Sequence, residues 1–359
     1  VTAVKIPDTV ESSLKSGRKN LIINGDMRVA QRGTSNTNVT SSSYLNMDRY
    51  ETDISSAGTW TISQDSDTPS GFGSSFKFLC TTADASISGT NRIAFRQKIE
   101  GQNLQQLKKG TANAEPFTVS FWVKSNKIGT YINEVYDYDN SRYISKSYTI
   151  NAANTWEQKS ITFAGDTTGA LDNDSNASLH LHFWLAVGSG FSSGTLQTSW
   201  GGAGNTNRAV GQVNLADSTS NYLNITGVQL EEGSVATDFE HRSYGEELAL
   251  CQRYYWTESQ SDSYHNVCTG FYPNTTLFIG VVHTPVAMRL SPSLITSGNW
   301  ETAGNGSSTV SAFLLTDSTG SDLTCFQIRA TVSNVTTGQG ASLRNATDTT
   351  AIIALDAEL

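Results

Sequence analysis

Residues 224–256 read NITGVQLEEGSVATDFEHRSYGEELALCQRYYW. Val228 and Leu230 alternate with Gln229 and Glu231, giving one apolar and one polar face at the period of a half-buried strand. Gly233 ends that run. Leu248, Cys251 and Tyr255 then recur along one stripe at helical spacing. The stretch is a closing strand, a turn and a short connecting helix over 244–256, and the helix marks a boundary.

Upstream of that boundary the chain is a series of short strands. They are DRYETDI (48–54), TWTISQ (59–64), FKFLC (76–80), RIAFRQKIE (92–100), FTVSFWVKS (117–125), TYINEVYD (130–137), WEQKSITFA (156–164), SLHLHFWLAV (178–187) and LNITGVQLEE (223–232). Loops rich in Gly, Asn, Asp and Ser separate them. Regular short strands with polar turns and almost no helix predict an all-β domain over 20–243, a two-sheet sandwich or jelly roll. NLIINGDMRVAQRG (20–33) opens that domain, with two short strands expected on either side of the Asn24-Gly25 turn. Residues 1–19 read as an incoming linker or the end of a shaft. Residues 257–359 are β-rich again, with TLFIGVVH (276–283), TVSAFLLT (309–316), LTCFQIRATV (323–332) and TAIIALDAEL (350–359), and are expected to form a smaller C-terminal β domain.

Composition bounds the function. The 359 residues suffice for two cores. Hydrophobic residues are 37% and charged ones only 16%, so the chain is rich in uncharged polar residues without being disordered. A net charge of −9 repels a phosphate backbone, so no nucleic-acid partner is expected. No apolar run approaches a membrane span, and no leader pattern is visible. The chain begins with Val1, as expected of an excerpt or a processed product. Cys80, Cys251, Cys268 and Cys325 form no CxxC pair, which argues against zinc and for buried thiols in a protein assembled in a reducing cytoplasm.

The order Gly-Val-Gln-Leu-Glu-x-Gly, Thr-Asp-Phe-Glu-x-Arg and Cys-Gln-Arg-Tyr-Tyr resembles the end of the jelly-roll domain in bacteriophage tail fibres and related receptor-binding fibre proteins. NLIINGDM, FTVSFWVKS, NTWEQKSITF and GVQLEEG resemble, in that order, carbohydrate-binding modules of the galactose-binding-like jelly-roll type, over roughly residues 20–240. HTPVAMRLSPSLIT is similar to a segment of phage fibre C-terminal domains, which implies that residues 257–359 are a tip or assembly domain. These resemblances imply a virion protein that adheres to host cell-surface polysaccharide or lipopolysaccharide. They also imply a homotrimer, other fibre or tail proteins as partners, assembly in the host cytoplasm and no cofactor. The modules often place Phe-Glu after the Asn-Gly-x turn, with the Glu holding a structural calcium. Here Met27 and Arg28 stand there, and Arg cannot ligate calcium, although Asp26 and Asp238 still offer oxygen.

Candidate binding residues follow from alternation. In FTVSFWVKS the apolar series Phe117, Val119, Phe121, Val123 leaves Trp122 and Lys124 on the other face. In SLHLHFWLAV the series Leu179, Leu181, Phe183, Leu185 leaves His180, His182 and Trp184 opposite. The expectation is one open sheet face shared by Trp122 and Trp184, either a platform for the C–H face of a sugar or a packing surface between subunits. Trp200, in a Gly-rich loop, and Tyr138, in YINEVYDYDNSRY, are further contact candidates, the latter in a recognition tip or a plain hairpin turn. Trp156 is expected at the sandwich edge as a core residue.

Catalysis finds little support. Glu231 and Glu232 are adjacent and face opposite ways on a strand. Asp137 and Asp139 lie in an expected turn, and no nucleophile, zincin or phosphate-loop motif occurs. The i, i+2 pair His180 and His182 has no acidic or Cys neighbour in sequence, so no metal site is expected. The chain reads as a non-enzymatic fibre protein. The alternatives are a purely structural capsid or neck fibre, a tail-borne glycan-degrading enzyme, or an accessory module of a secreted glycosidase.

Overall fold

The computed structural model describes residues 18–202, 204–259, 262–317 and 323–359, so most of the expected N-terminal linker lies outside the described residues. The chain divides into two compact units, one running to Tyr244 and one over Gly245–Glu358. Among the described residues no helix is long and apolar enough to cross a membrane.

The first unit is all β. Its strands are β1 (Ser35–Tyr44), β2 (Tyr50–Asp65), β3 (Ser75–Thr82), β4 (Arg92–Glu100), β5 (Phe117–Ser125), β6 (Gly129–Asp137), β7 (Arg142–Ile150), β8 (Glu157–Phe163), β9 (Ala177–Val187), β10 (Gly201–Gly202) and β11 (Tyr222–Glu232). They pair in the order β10-β7-β6-β9-β4-β2-β3-β11-β5-β8, with β1 alongside β2. Two segments expected as separate strands, 48–54 and 59–64, are one long strand. Residues 50–55 of β2 pair with β4, and residues 59–65 pair with β3. Between them Ser56 and Gly58 take positive φ, and the strand bends there.

That bend folds the sheet into two layers, so the unit is a jelly-roll sandwich. The first layer holds β10, β7, β6, β9, β4 and the start of β2; the second holds the end of β2 with β3, β11, β5 and β8. Their inner faces meet through aromatic rings. Phe95 stacks on Phe183 at 4.8 Å, Phe183 meets Phe121 edge-on at 5.1 Å, and Phe121 meets Tyr148 at 5.0 Å.

The opening segment differs from expectation: no strand forms over 20–33. Asn24 takes φ +58°, as a tight turn asks, and Met27 also takes φ +58°. Side chains supply the bonds a ladder would give. Asn20 Oδ1 accepts from the backbone N–H of Ile22 and Leu230, and Asn24 Oδ1 accepts from Val29 N–H. Gly25 is required, since a Cβ there would sit 2.2 Å from the Val228 carbonyl oxygen. After β11 the chain turns back onto this segment. Glu231 accepts from Thr237 N–H and Oγ1–H, Glu240 accepts from Asn20 N–H, and Arg242 donates to the Ile22 carbonyl.

The second unit is a smaller β domain opened by a helix over Tyr244–Gln252. The helix is shorter than expected: Tyr255 and Trp256 are buried and open β12 (Tyr255–Ser259). Its other strands are β13 (Asn266–Asn274), β14 (Leu277–His283), β15 (Ser293–Ser297), β16 (Trp300–Gly304), β17 (Gly306–Thr309), β18 (Ala312–Asp317), β19 (Cys325–Thr331), β20 (Gly340–Asn345) and β21 (Ile352–Asp356). They form a seven-stranded sheet, β17-β16-β20-β13-β14-β19-β18, and a three-stranded sheet, β12-β21-β15. Trp256, Phe278, Trp300, Phe326 and Ile353 share its core.

One buried ion cluster fastens the loops at an end of the sandwich. Lys109 Nζ lies 2.5 Å from Asp137 Oδ2 and 3.1 Å from Asp166 Oδ2, and it donates to the carbonyls of Thr168 and Gly169. Arg142 forks onto Asp166 at 2.8 and 3.1 Å. Replacing Lys109 by Met strips Asp137 of the cation bonded directly to it, and removing one partner of a buried pair costs about 3–5 kcal/mol. Urea denaturation of Lys109→Met should show that loss. A change under about 1 kcal/mol would mean the cluster does not hold the loops.

Candidate functional site

The two layers decide where the expected binding residues go. Phe121 and Phe183 touch inside the sandwich. Their successors Trp122 and Trp184 therefore point out of opposite layers. The single shared platform expected from the sequence does not exist; there are two faces.

On the first layer, His180, His182 and Trp184 of β9 line up outward as expected, but they are not open. Trp184 and His182 are each 1% exposed and His180 is 6% exposed. The chain covers its own face: between β9 and β11 it runs back over the sheet and lays Phe191 5.1 Å from the Trp184 ring. The same segment brings the Arg208 guanidinium 5.2 Å from Trp184 and 5.0 Å from Tyr136. Large outward aromatics left wet would forfeit burial worth roughly 1.5–3 kcal/mol each.

Charged side chains cross this face in register. Glu51, Arg96, His182 and Glu134 stand opposite one another on β2, β4, β9 and β6. Arg96 Nε donates to Glu51 at 2.7 Å, and Arg96 Nη1 lies 3.2 Å from His182 Nε2. His182 Nδ1 is 3.4 Å from Glu134 Oε1, which also takes one arm of the Arg208 fork at 2.5 Å. An imidazole with its proton on Nδ1 suits both neighbours. Arg92 closes the row on Asp53 at 2.9 Å. Apart from His182, sequence reasoning passed over these residues, although the polar series Arg92, Arg96, Lys98 alternates visibly in β4. Arg208, from an irregular loop, gave no such signal.

The face opens at one end. Tyr138, just past β6, is 62% exposed and stacks on His180 with ring centroids 5.3 Å apart. Tyr136 lies 6.0 Å from the same imidazole. His180 Nε2 is buried and has no hydrogen-bond partner among the described residues. Burial, with Arg96, Lys98 and Arg208 nearby, pushes His180 down to about 3 and so keeps it neutral. His182 is held well below its ordinary value, by burial first and then by Arg96 and Arg208. Burial raises the Glu51 carboxyl, but Arg96 and Lys98 outweigh it and leave Glu51 below the usual carboxylate range. The open end thus offers a ring, a neutral imidazole and ion-paired charges.

The remaining candidates fall elsewhere. Trp122 and Lys124 are half-buried on the outer face of the second layer, where Lys124 Nζ bonds Asp67 at 2.7 Å. Trp156, expected in the core, is half-exposed on that face, with Nε1 3.0 Å from Asp67. Trp200 is half-buried and braced: its Nε1 donates to the Ala164 carbonyl and its ring lies 5.1 Å from Lys109 Nζ. Among the described residues no group of three or more His, Cys, Asp or Glu is placed to hold a metal ion. Asp26 is engaged by Arg28, and Asp238 is exposed.

No protein-family model matches the chain, and no curated protein matches it. Solved structures to which it is similar include the enzymatically active domain of tailspike protein 4 of bacteriophage CBA120, at 13% identity and TM-score 0.33 over 59% of this chain. This chain spans 21% of that protein's length. Another is a putative sugar-binding protein from Bacteroides thetaiotaomicron, at 12% identity and TM-score 0.32, covering 60% of this chain and 100% of the other. A third is a family 11 carbohydrate-binding module from Clostridium thermocellum in complex with a mixed-linked tetrasaccharide, at 11% identity and TM-score 0.28, covering 58% and 98%.

The buried histidines set a pH dependence. Each stays neutral in the fold and takes up a proton on unfolding once the pH drops below the ordinary value of 6.5. Their stability is complete above that value and is lost as pH falls from 6.5 toward His180's folded value near 3. Carboxylates held below their ordinary values, Glu51 among them, add their own loss only from about pH 4.5 downward. Between these limits each histidine should contribute a slope of up to about 1.4 kcal/mol per pH unit. Denaturation from pH 7 to 5 should show the loss, reduced in His180→Gln; an unchanged slope in that variant would mean His180 titrates normally.

Proposed function

We propose that this chain is the distal, receptor-binding part of a phage tail fibre and that its jelly roll adheres to host cell-surface polysaccharide or lipopolysaccharide at the open end of the β9 face. The observation that carries the binding reading is Tyr138 stacked on a neutral His180 whose Nε2 lacks a partner among the described residues. A sugar presents an apolar C–H face to a ring and hydroxyls around its edge. A hydroxyl reaching His180 Nε2 satisfies a buried polar atom that otherwise carries a desolvation cost. The fibre reading rests on the motifs of residues 224–256. Weak sites on several fibres then act together through effective concentration.

The reading is adhesion without cleavage. Glycoside hydrolysis asks for two carboxyl groups free to act as acid and base or nucleophile. On this face Glu51, Asp53 and Glu134 each hold an arginine. Three-fold assembly belongs to the fibre reading, and closed cyclic symmetry suits it. Sedimentation equilibrium of the purified chain should return a trimer mass; a monomer at micromolar concentration counts against that part.

Binding is tested with labelled protein on host cells. Tyr138→Ala should weaken binding about tenfold, keep its melting temperature, and release no new reducing ends from host envelope, like the unaltered chain. Trp184→Ala should instead lose about 3–5 kcal/mol of stability, as a core aromatic does. Full cell binding by Tyr138→Ala would remove the β9 face as the site, and defined oligosaccharide release would make the chain an enzyme.

A further inference from the structure

The outer face of the second layer carries a second aromatic patch. β11 bulges between Thr226 and Gln229, and Gly227 sits there at φ +64°. A Cβ on Gly227 would lie 2.7 Å from Phe72 and 3.2 Å from Trp122, so both rings rest on bare backbone. Trp122 faces Thr226 on one side and Gln158 on the other. One step along the same face, Lys124 stands opposite Asn224, and Asn224 opposite Lys77. Trp156 adjoins Lys124 across the β5–β8 pair, one residue before β8 begins.

Polar groups hold these rings in place. Asp67 accepts from Lys124 Nζ at 2.7 Å through one oxygen and from Trp156 Nε1 at 3.0 Å through the other. Lys77 Nζ donates to Asp65 at 2.6 Å and lies 5.7 Å from the Tyr222 ring, whose hydroxyl bonds Asn154. Trp122, Trp156 and Tyr222 all stay half-exposed. Trp156 and Tyr222 sit two strand spacings apart and two residues offset along the strands, roughly 12 Å between backbones, a distance suited to a short chain of sugars rather than one ring.

We propose that this face is a second glycan-contact surface that takes a neutral hexose oligosaccharide, with sugar rings on Trp122, Trp156 and Tyr222 and hydroxyls bonded by the Lys124–Asp67 and Lys77–Asp65 pairs. Charge selects the ligand class. Each ammonium is already matched by a carboxylate, so the patch offers hydrogen bonds of both polarities but no surplus charge to favour an acidic polymer. The two faces point out of opposite layers, so one jelly roll engages two glycan strands. The inference extends the adhesion reading but does not require the β9 face to bind.

The test follows the tryptophan indole N–H signals of the ¹⁵N-labelled full chain by NMR, titrated with cellohexaose, mannohexaose, maltohexaose and, as an acidic control, polygalacturonate. At least one neutral hexaose should shift the Trp156 signal saturably, equally in the unaltered chain and in Tyr138→Ala. Tyr222→Ala should weaken that response about tenfold, and Trp156→Phe, which keeps a ring, should weaken binding less than Trp156→Ala. No shift of Trp156 with any neutral hexaose overturns the proposal, as does stronger binding of polygalacturonate. If the response vanishes in Tyr138→Ala, all binding belongs to the β9 face and the second surface is absent. If the Trp156 response persists while Tyr138→Ala binds cells normally, the second surface stands and the β9 reading falls.

Discussion

The contact of Phe183 with Phe121 across the sandwich fixes everything outside it. The two rings come from β9 and β5, with four strands between them in the pairing order, and they meet because β2 bends at Ser56–Gly58 and carries the sheet from one layer into the other. Once these rings face each other, strict alternation leaves no choice about the neighbours. His182 and Trp184 must leave through one layer, and Trp122 through the other.

What happens on those outer faces is a matter of desolvation. On the first layer the β9–β11 segment covers Trp184 and brings in Arg208, which would be costly to bury unpaired. Glu134 answers it with a two-pronged bond, and the row Glu51–Arg96–His182–Glu134 shares out the remaining charge. Burial first, and then the neighbouring cations, make an imidazolium unfavourable here, so both histidines stay neutral. On the second layer residues 237–242 cover the Gln229–Glu231 end and Phe72 rests on Gly227, but nothing comparable lies over Trp122 and Trp156 among the described residues. The charges of that layer pair at the surface, where exposed ion pairs add little stability, and its tryptophans remain half-open.

Gln229, Glu231, Thr237, Glu240 and Arg242 bond within the fold. Gln229 and Glu231 lie on the polar face of β11, yet both are buried, because residues 237–242 turn back and bond to them. Glu240 and Arg242 then reach the backbone of residues 20–22. A run of residues that looks solvent-facing in sequence is a polar seam joining the start and the close of the jelly roll, with its hydrogen bonds made internally.

The sequence by itself determined the strands whose faces differ. RIAFRQKIE and FTVSFWVKS form strands with the expected ends, since period-2 burial is a local property. β1, SNTNVTSSSY, escaped because Val39 is its one buried apolar residue and Ser, Thr and Asn carry no alternation. β7 and most strands of the second unit escaped for the same reason, their apolar residues being interrupted by Ser, Thr and Gly. Alternation also told which residues turn away from the core, and it did so correctly for Trp122, His180, His182 and Trp184. Only the tertiary structure decided which layer each strand joins, and so whether two outward tryptophans are neighbours or opposites. It also decided what lies over them, because cover by Phe191 and Arg208 comes from a loop whose path no local pattern records.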